Sequence, residues 1–128
     1  MTLDSSALIA ILLAEPGHLD LVDKILEADV VRVGTPTLVE TGIVLGSRRG
    51  KPAARDVESL IEELNVTVVG FGELEWRAAV RAYDRYGRGR HKAGLNFGDC
   101  LAYAVASVAA DSLLFVGRDF SLTDIGAA

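Results

Sequence analysis

Short β-branched runs alternate with helical patterns along this chain, and that alternation narrows the fold more than any other feature. "VVRVG" from Val30, "VTVVG" from Val66 and "LLFVG" from Leu113 read as strands, as do the first few residues. Between them, Val57, Leu60, Ile61 and Leu64 fall at i, i+3, i+4 and i+7, with Arg55, Glu58, Glu62 and Glu63 interspersed, which predicts a helix. Leu19, Val22, Ile25 and Leu26 predict another, and Trp76, Val80 and Tyr83 a third running from Glu73 to Tyr86. The stretches Ala7 to Leu13 and Leu101 to Ala110 are apolar nearly all round, so they belong in a core or a partner interface. Strands separated by helices pair in parallel, with helices crossing over both faces. The expected fold class is therefore α/β, a three-layer α/β/α domain with a central parallel sheet. Sites in such sheets lie beyond the carboxyl ends of the strands, where helix N-termini also point.

At 128 residues, half of them apolar, the chain has material for one core, and residues 1–128 are read as a single domain. Only three prolines, and neither repeats nor low-complexity tracts, leave no place for a linker. Cys100 is the sole cysteine and lacks an intramolecular disulfide partner. It is read as core filler, which fits a reducing, cytoplasmic setting. The apolar run from Ala7 to Ala14 is too short to cross a bilayer, and no basic residue precedes it. Neither a membrane span nor a signal peptide is expected there.

The net charge of −5 argues against gripping nucleic acid through overall positive charge. Its distribution is uneven, because "RAAVRAYDRYGRGRHK", Arg77 to Lys92, holds six Lys or Arg against the single acid Asp84. Two readings fit this segment: a phosphate-contacting edge with Arg85, Arg88 and Arg90 at its centre, or a solvated helix face running into a polar loop.

Four acids fall where a site is expected. Asp4 follows the first strand and precedes "SSALIAILL", a natural helix-cap position. Glu40 lies in "TPTLVETGIVLG", where Thr37 to Glu40 matches a capping box. Alternatively, Thr35 is the cap and Pro36 the first helical residue, which leaves Glu40 beyond the box and without a local partner. Asp99 heads the apolar stretch "NFGDCLAYAVA", with Asn96 as the expected cap. A surface dipole contact is worth about 0.3–1 kcal/mol, whereas burying an unpaired carboxylate costs several, so Asp99 reaches solvent at a cleft or meets a cation. Asp119 follows the strand "LLFV" through Gly117 and Arg118, with Asp124 five residues later. By itself it reads equally as a polar turn.

Carboxylates gathered at one sheet edge raise one another's pKa unless a cation neutralises them. Oxygen ligands without Cys or His suit Mg²⁺ or Mn²⁺; His18 and His91 are isolated and show no zinc-ligand spacing. Hydrolysis of phosphodiesters is the chemistry such a site serves best. Neither nucleotide-binding fingerprint is supported: "GSRRGK" from Gly46 has three residues between its glycines where a phosphate loop needs four, and "GFGELE" from Gly70 lacks the third glycine of the dinucleotide fingerprint.

With "LDSSALIAIL" at the start, "LNFGDCLAYAVA" in the last third and "LLFVGRDFSLTDI" near the end, the whole chain resembles the PIN-domain toxins of bacterial and archaeal toxin–antitoxin pairs, the VapC family. The resemblance implies a PIN fold and an Mg²⁺- or Mn²⁺-dependent endoribonuclease. Its target would be a structured RNA such as transfer or ribosomal RNA, and cleavage would stop translation. By position it implies Asp4, Glu40, Asp99 and Asp119 as metal-binding, catalytic acids, with Ser6 supporting them and Asp124 as an alternative fourth acid. A VapB-type antitoxin that neutralises the enzyme and a homodimer are implied partners. Two other functions stay open: a PIN-type nuclease acting on DNA or flap structures, and a PIN-like binding module without catalysis.

Overall fold

The computed structural model describes residues 1–128. The elements run β1 (Thr2–Leu3), α1 (Ser5–Leu12), α2 (His18–Glu27), β2 (Arg32–Gly34), α3 (Thr35–Arg49), α4 (Ala54–Glu63), β3 (Thr67–Val69), α5 (Glu73–Tyr86), α6 (Phe97–Ala109) and β4 (Leu113–Leu114). A short 3₁₀ turn, Asp119–Leu122, follows. The strands form one sheet in the order β3-β2-β1-β4, every pairing parallel, with Thr2 opposite both Arg32 and Leu113. Beyond β4, a single parallel bridge between Leu113 and Ala127 extends this edge with the C-terminal residues.

The expected α/β class and parallel sheet are present, but the strands are shorter than the β-branched runs. Each keeps only two or three residues in the ladder, because the chain turns into a helix almost at once: Asp4 alone separates β1 from α1, and Gly34 leads straight into Thr35. Alternate strand residues point to opposite faces. Leu113 enters a core with α5 and α6, including Ala79, Ala82, Tyr86 and Ala104. Leu114, Leu3 and Val33 enter a second core with Leu8, Ile25, Leu45, Val57 and Ile61 from α1 to α4. These two cores place the sheet between two helical layers. No helix is long and apolar enough to cross a membrane.

Two helical stripes behave differently from what their periodicity suggests. On α5 the buried face is Ala78, Ala79, Ala82 and Tyr86, while Trp76, Val80 and Tyr83 are 46%, 53% and 40% exposed. On α2 only Ile25 is fully buried, and Leu19 and Leu26 face outward. Periodicity identifies residues that share a face; it does not say whether a neighbour covers that face.

The connections diverge at β1, which has the next strand in sequence on one side and the last on the other. In parallel α/β sheets this switch opens a crevice at the strand ends. Helix α6 is drawn close to the sheet beside it, because a Cβ on Gly34 would lie 2.7 Å from Val105 Cγ2. Glycine at the end of β2 thus allows α6 to bring its N-terminus towards the crevice.

Candidate active site

Asp4 closes β1 and caps α1. Its backbone N–H donates to the Leu114 carbonyl at 3.0 Å, which fixes it beside the end of β4. Its Oδ2 accepts from the Ser6 N–H at 3.0 Å and from Ser6 Oγ at 2.5 Å. Ser6 Oγ in turn accepts from the Val116 N–H at 3.0 Å. Ser6 therefore ties the acid to the chain leaving β4, the supporting position expected for it. Asp4 is only 4% exposed. Burial raises its pKa, the Ser6 hydrogen bonds oppose that rise, and the Glu40 charge adds to it.

Glu40 comes from α3. That helix begins at Thr35 with Gly34 as its cap and no side-chain capping bond, so Thr35 is helical rather than the cap and Thr37 starts no box. Lacking a role within its own helix, Glu40 accepts from Ser5 Oγ at 2.7 Å. It also lies against the first turn of α6: a Cβ on Gly98 would overlap its carboxylate, with Cδ at 2.7 Å. Gly98 leaves the room that Glu40 occupies.

Asp99 sits in that first turn. Asn96 Oδ1 accepts from the Asp99 N–H and Asp99 Oδ2 accepts from the Asn96 N–H, each at 2.9 Å, a reciprocal capping box. The expected cap is thus present, and it engages one of the two carboxylate oxygens. Desolvation pushes the Asp99 pKa up to about 6; the Asn96 N–H holds it down, and the charges of Asp4, Asp119 and Glu40 raise it further. Asp4, Glu40 and Asp119 therefore all lie within electrostatic reach of Asp99, the four acids coming from four separate segments.

Asp119 opens the 3₁₀ turn and is exposed, with buried Phe120 directly behind it and its ring tilted against Phe115 at a centroid distance of 5.1 Å. Asp124 is engaged elsewhere. Its Oδ1 accepts from Tyr103 Oη at 2.5 Å, and its Oδ2 is 3.0 Å from Arg85 Nη1. The Tyr103 bond is the main reason its pKa is lowered. Of the two candidates for the fourth acid, only Asp119 faces Asp99 without such partners.

No three of the acids are drawn tightly enough to form a finished ligand set. Two of the acids are held by other partners: Ser5 donates to one oxygen of Glu40, and one oxygen of Asp99 accepts from the Asn96 N–H. The donor chemistry nonetheless fits a hard divalent cation, being oxygen only, anionic and short of a compensating positive charge.

The basic segment divides in two. Arg85, at the end of α5, pairs with Asp124 and stacks over Tyr86 at 4.8 Å. Arg90 reaches Asp84 at 3.8 Å and lies over Tyr83. Arg88 and Lys92, in the loop between α5 and α6, are exposed and make no ion pair. Ser5, Gly98 and Tyr103 escaped the sequence reading. Only the adjacent serines of "DSS" carried a local signal for one of them.

This sheet order, with acids from four segments at its crevice, defines a class: the chain is a PIN-domain protein, and the PIN domain family model matches residues 1–126. "Ribonuclease VapC" of Mycolicibacterium smegmatis is 44% identical over 128 residues, covering 99% of this chain and 98% of that protein. "Ribonuclease VapC30" of Mycobacterium tuberculosis is 40% identical over 126 residues, covering 98% and 95%. The chain belongs to the VapC ribonucleases. Among solved structures, Mycobacterium tuberculosis VapC20, described as a sarcin-ricin loop cleaving toxin, superposes with a TM-score of 0.78 over 99% of this chain and 97% of that one. At 21% identity that likeness is one of fold.

Proposed function

We propose that this ribonuclease is the toxin of a toxin–antitoxin pair, cutting a structured RNA at Asp4, Glu40, Asp99 and Asp119 with Mg²⁺ or Mn²⁺. The observation that carries the reading is that four acids from four segments gather at the crevice, Asp4 buried at the end of β1, Glu40 against the first turn of α6, Asp99 in that turn and Asp119 within reach of its charge. An anionic cluster of this kind is relieved by a divalent cation. When present, such an ion would be held by these four acids and would supply neutralising charge and polarisation of the phosphate.

The chain's own residues give the site its geometry. Ser6 holds Asp4 against the end of β4, and Ser5 holds Glu40 towards α6. Asn96 fixes Asp99 while leaving one oxygen free to turn towards the crevice. Exposed Arg88 and Lys92 offer positive charge to the RNA backbone, which the acids themselves repel. Halting translation is the expected cellular outcome, with transfer or ribosomal RNA as the target.

The direct test is cleavage of RNA by the purified chain with Mn²⁺, with EDTA, and in Asp99→Asn. EDTA should abolish cleavage, and the substitution should lower kcat by about a hundredfold or more. Activity that survives both would sink the reading. A DNA oligonucleotide in the same assay separates the DNA-nuclease alternative.

A VapB-type antitoxin and a second copy of the chain are the proposed partners. Two separate apolar surfaces support this: a groove of about 600 Å³ between α3, α4 and β3, and the outward stripe of α5 continued by Phe97.

A further inference from the structure

We propose that Tyr103, acting through Asp124, is a positioning residue that sets the distance between Asp119 and Asp99. This rests on the reading of those acids as metal ligands. Asp99 and Tyr103 are four residues apart on α6, so they share one face of that helix, a turn apart. Tyr103 is buried, and its hydroxyl is its only polar group beyond the backbone. That hydroxyl donates to Asp124 Oδ1 at 2.5 Å, a bond to a charged acceptor that is shorter and stronger than a neutral one.

Asp124 belongs to the same C-terminal segment as Asp119, which is held beyond residue 124 by Ile125 against the α5/α6 core and by Leu113, whose N–H donates to the Gly126 carbonyl and whose carbonyl accepts from the Ala128 N–H. Its 3₁₀ turn spans Asp119–Leu122, with Ser121 and Leu122 exposed beside Asp119. Phe120 is the only residue of the turn that enters the core. Thr123 Oγ1 donates to the Phe120 carbonyl at 2.8 Å and accepts from the Ile125 N–H at 3.3 Å, which ties the end of the turn to residue 124 within the segment itself. The ring of Phe120 thus anchors one side of the turn, and the Tyr103 to Asp124 bond anchors the other to the helix that carries Asp99. Arg85 closes the second oxygen of Asp124 from α5. That ion pair is exposed and contributes little by itself, so the tyrosine hydroxyl is the stronger tether. The Tyr103 hydroxyl makes its side-chain hydrogen bond to Asp124 and to none of the acids at the crevice, and its influence on them runs through the segment.

Tyr103→Phe removes one oxygen and leaves the ring in the core, which makes it the informative variant. Calorimetric binding of Mn²⁺ should weaken roughly tenfold, the usual scale for a residue that orients a ligand from behind. Amide hydrogen exchange in residues 117–124 of the metal-free chain should speed up, with α6 unchanged. Cleavage of RNA at saturating Mn²⁺ should stay within about threefold of wild type, because the acids themselves are intact. In an Asp119→Ala background the same substitution should cost no further Mn²⁺ affinity, since its effect passes through Asp119. Unchanged Mn²⁺ affinity and exchange in Tyr103→Phe, or a loss that adds fully to that of Asp119→Ala, overturns the proposal while RNA cleavage by the wild type upholds the function. A wild-type chain that binds no Mn²⁺ and cuts no RNA overturns both.

Discussion

Asp99 gives one oxygen to the Asn96 N–H and feels the charge of three other carboxylates while partly buried, and the balance between these effects sets its response to pH. In the metal-free chain its pKa is raised from 3.8 to about 6. The folded form thus holds the proton more tightly than the unfolded one, so this residue favours folding below pH 3.8 and that contribution is lost as pH rises through about 6. Asp99→Asn keeps the acceptor for Asn96 and removes the charge. At pH 8 the metal-free variant should be more stable than wild type, by on the order of 1–2 kcal/mol once solvent screening of this half-buried side chain is allowed for. The gain should vanish at about pH 2.5, well below 3.8, where Asp99 is protonated in both states. Thermal melts at the two pH values check this, and a variant less stable than wild type at pH 8 would show that capping outweighs repulsion. Saturating Mn²⁺ should reverse the order, because only the wild type gains the full set of ligands.

At the scale of elements, helix ends made the site legible, and contacts between distant segments did not. Asp4 and Asp99 stand where strands stop and helices start, so cap chemistry pointed to both. Glu40 was visible only as a carboxylate without a partner in its own helix; its partner, Ser5, lies 35 residues away on α1. No spacing rule links Tyr103 to Asp124, or Gly98 to Glu40, since each pair meets only once the sheet has formed. The basic segment was legible as a charge run, yet its division into an engaged Arg85 and an exposed loop depends on where Asp124 falls. That division makes a prediction about RNA binding. Replacing Arg88 and Lys92 together with alanine should reduce the slope of log affinity against log salt by about 1 to 2, because each lost phosphate contact removes about 0.7–0.9. Arg85→Ala should leave the slope nearly unchanged. Equal effects from both changes, read by titrating labelled RNA at several salt concentrations, would return Arg85 to the RNA-contacting set.

Several of the large apolar side chains that the whole molecule exposes lie on two faces of different charge. The α3/α4 groove is lined by Leu38, Val39, Ile43 and Val57, with Glu58 and Glu62 beside them. A second copy placed there would bring the same acids against themselves, whereas a partner with basic residues would be attracted. On the other face, Trp76, Val80, Tyr83 and Phe97 are 46%, 53%, 40% and 79% exposed. Their rim mixes Glu73 and Asp84 with Arg77 and Arg90, so two copies related by a twofold axis can match acid to base. This face also continues to Phe97, two residues from Asp99, and dimerisation there would set two crevices near one another. Exposed clusters of this kind mark association sites in folded chains. Val80→Asp should therefore yield a monomer in analytical ultracentrifugation while still binding the antitoxin, and Ile43→Asp should remain a dimer that no longer binds it. The opposite pattern would exchange the two assignments, and a wild-type chain that sediments as a monomer at every concentration would remove the dimer from the proposal.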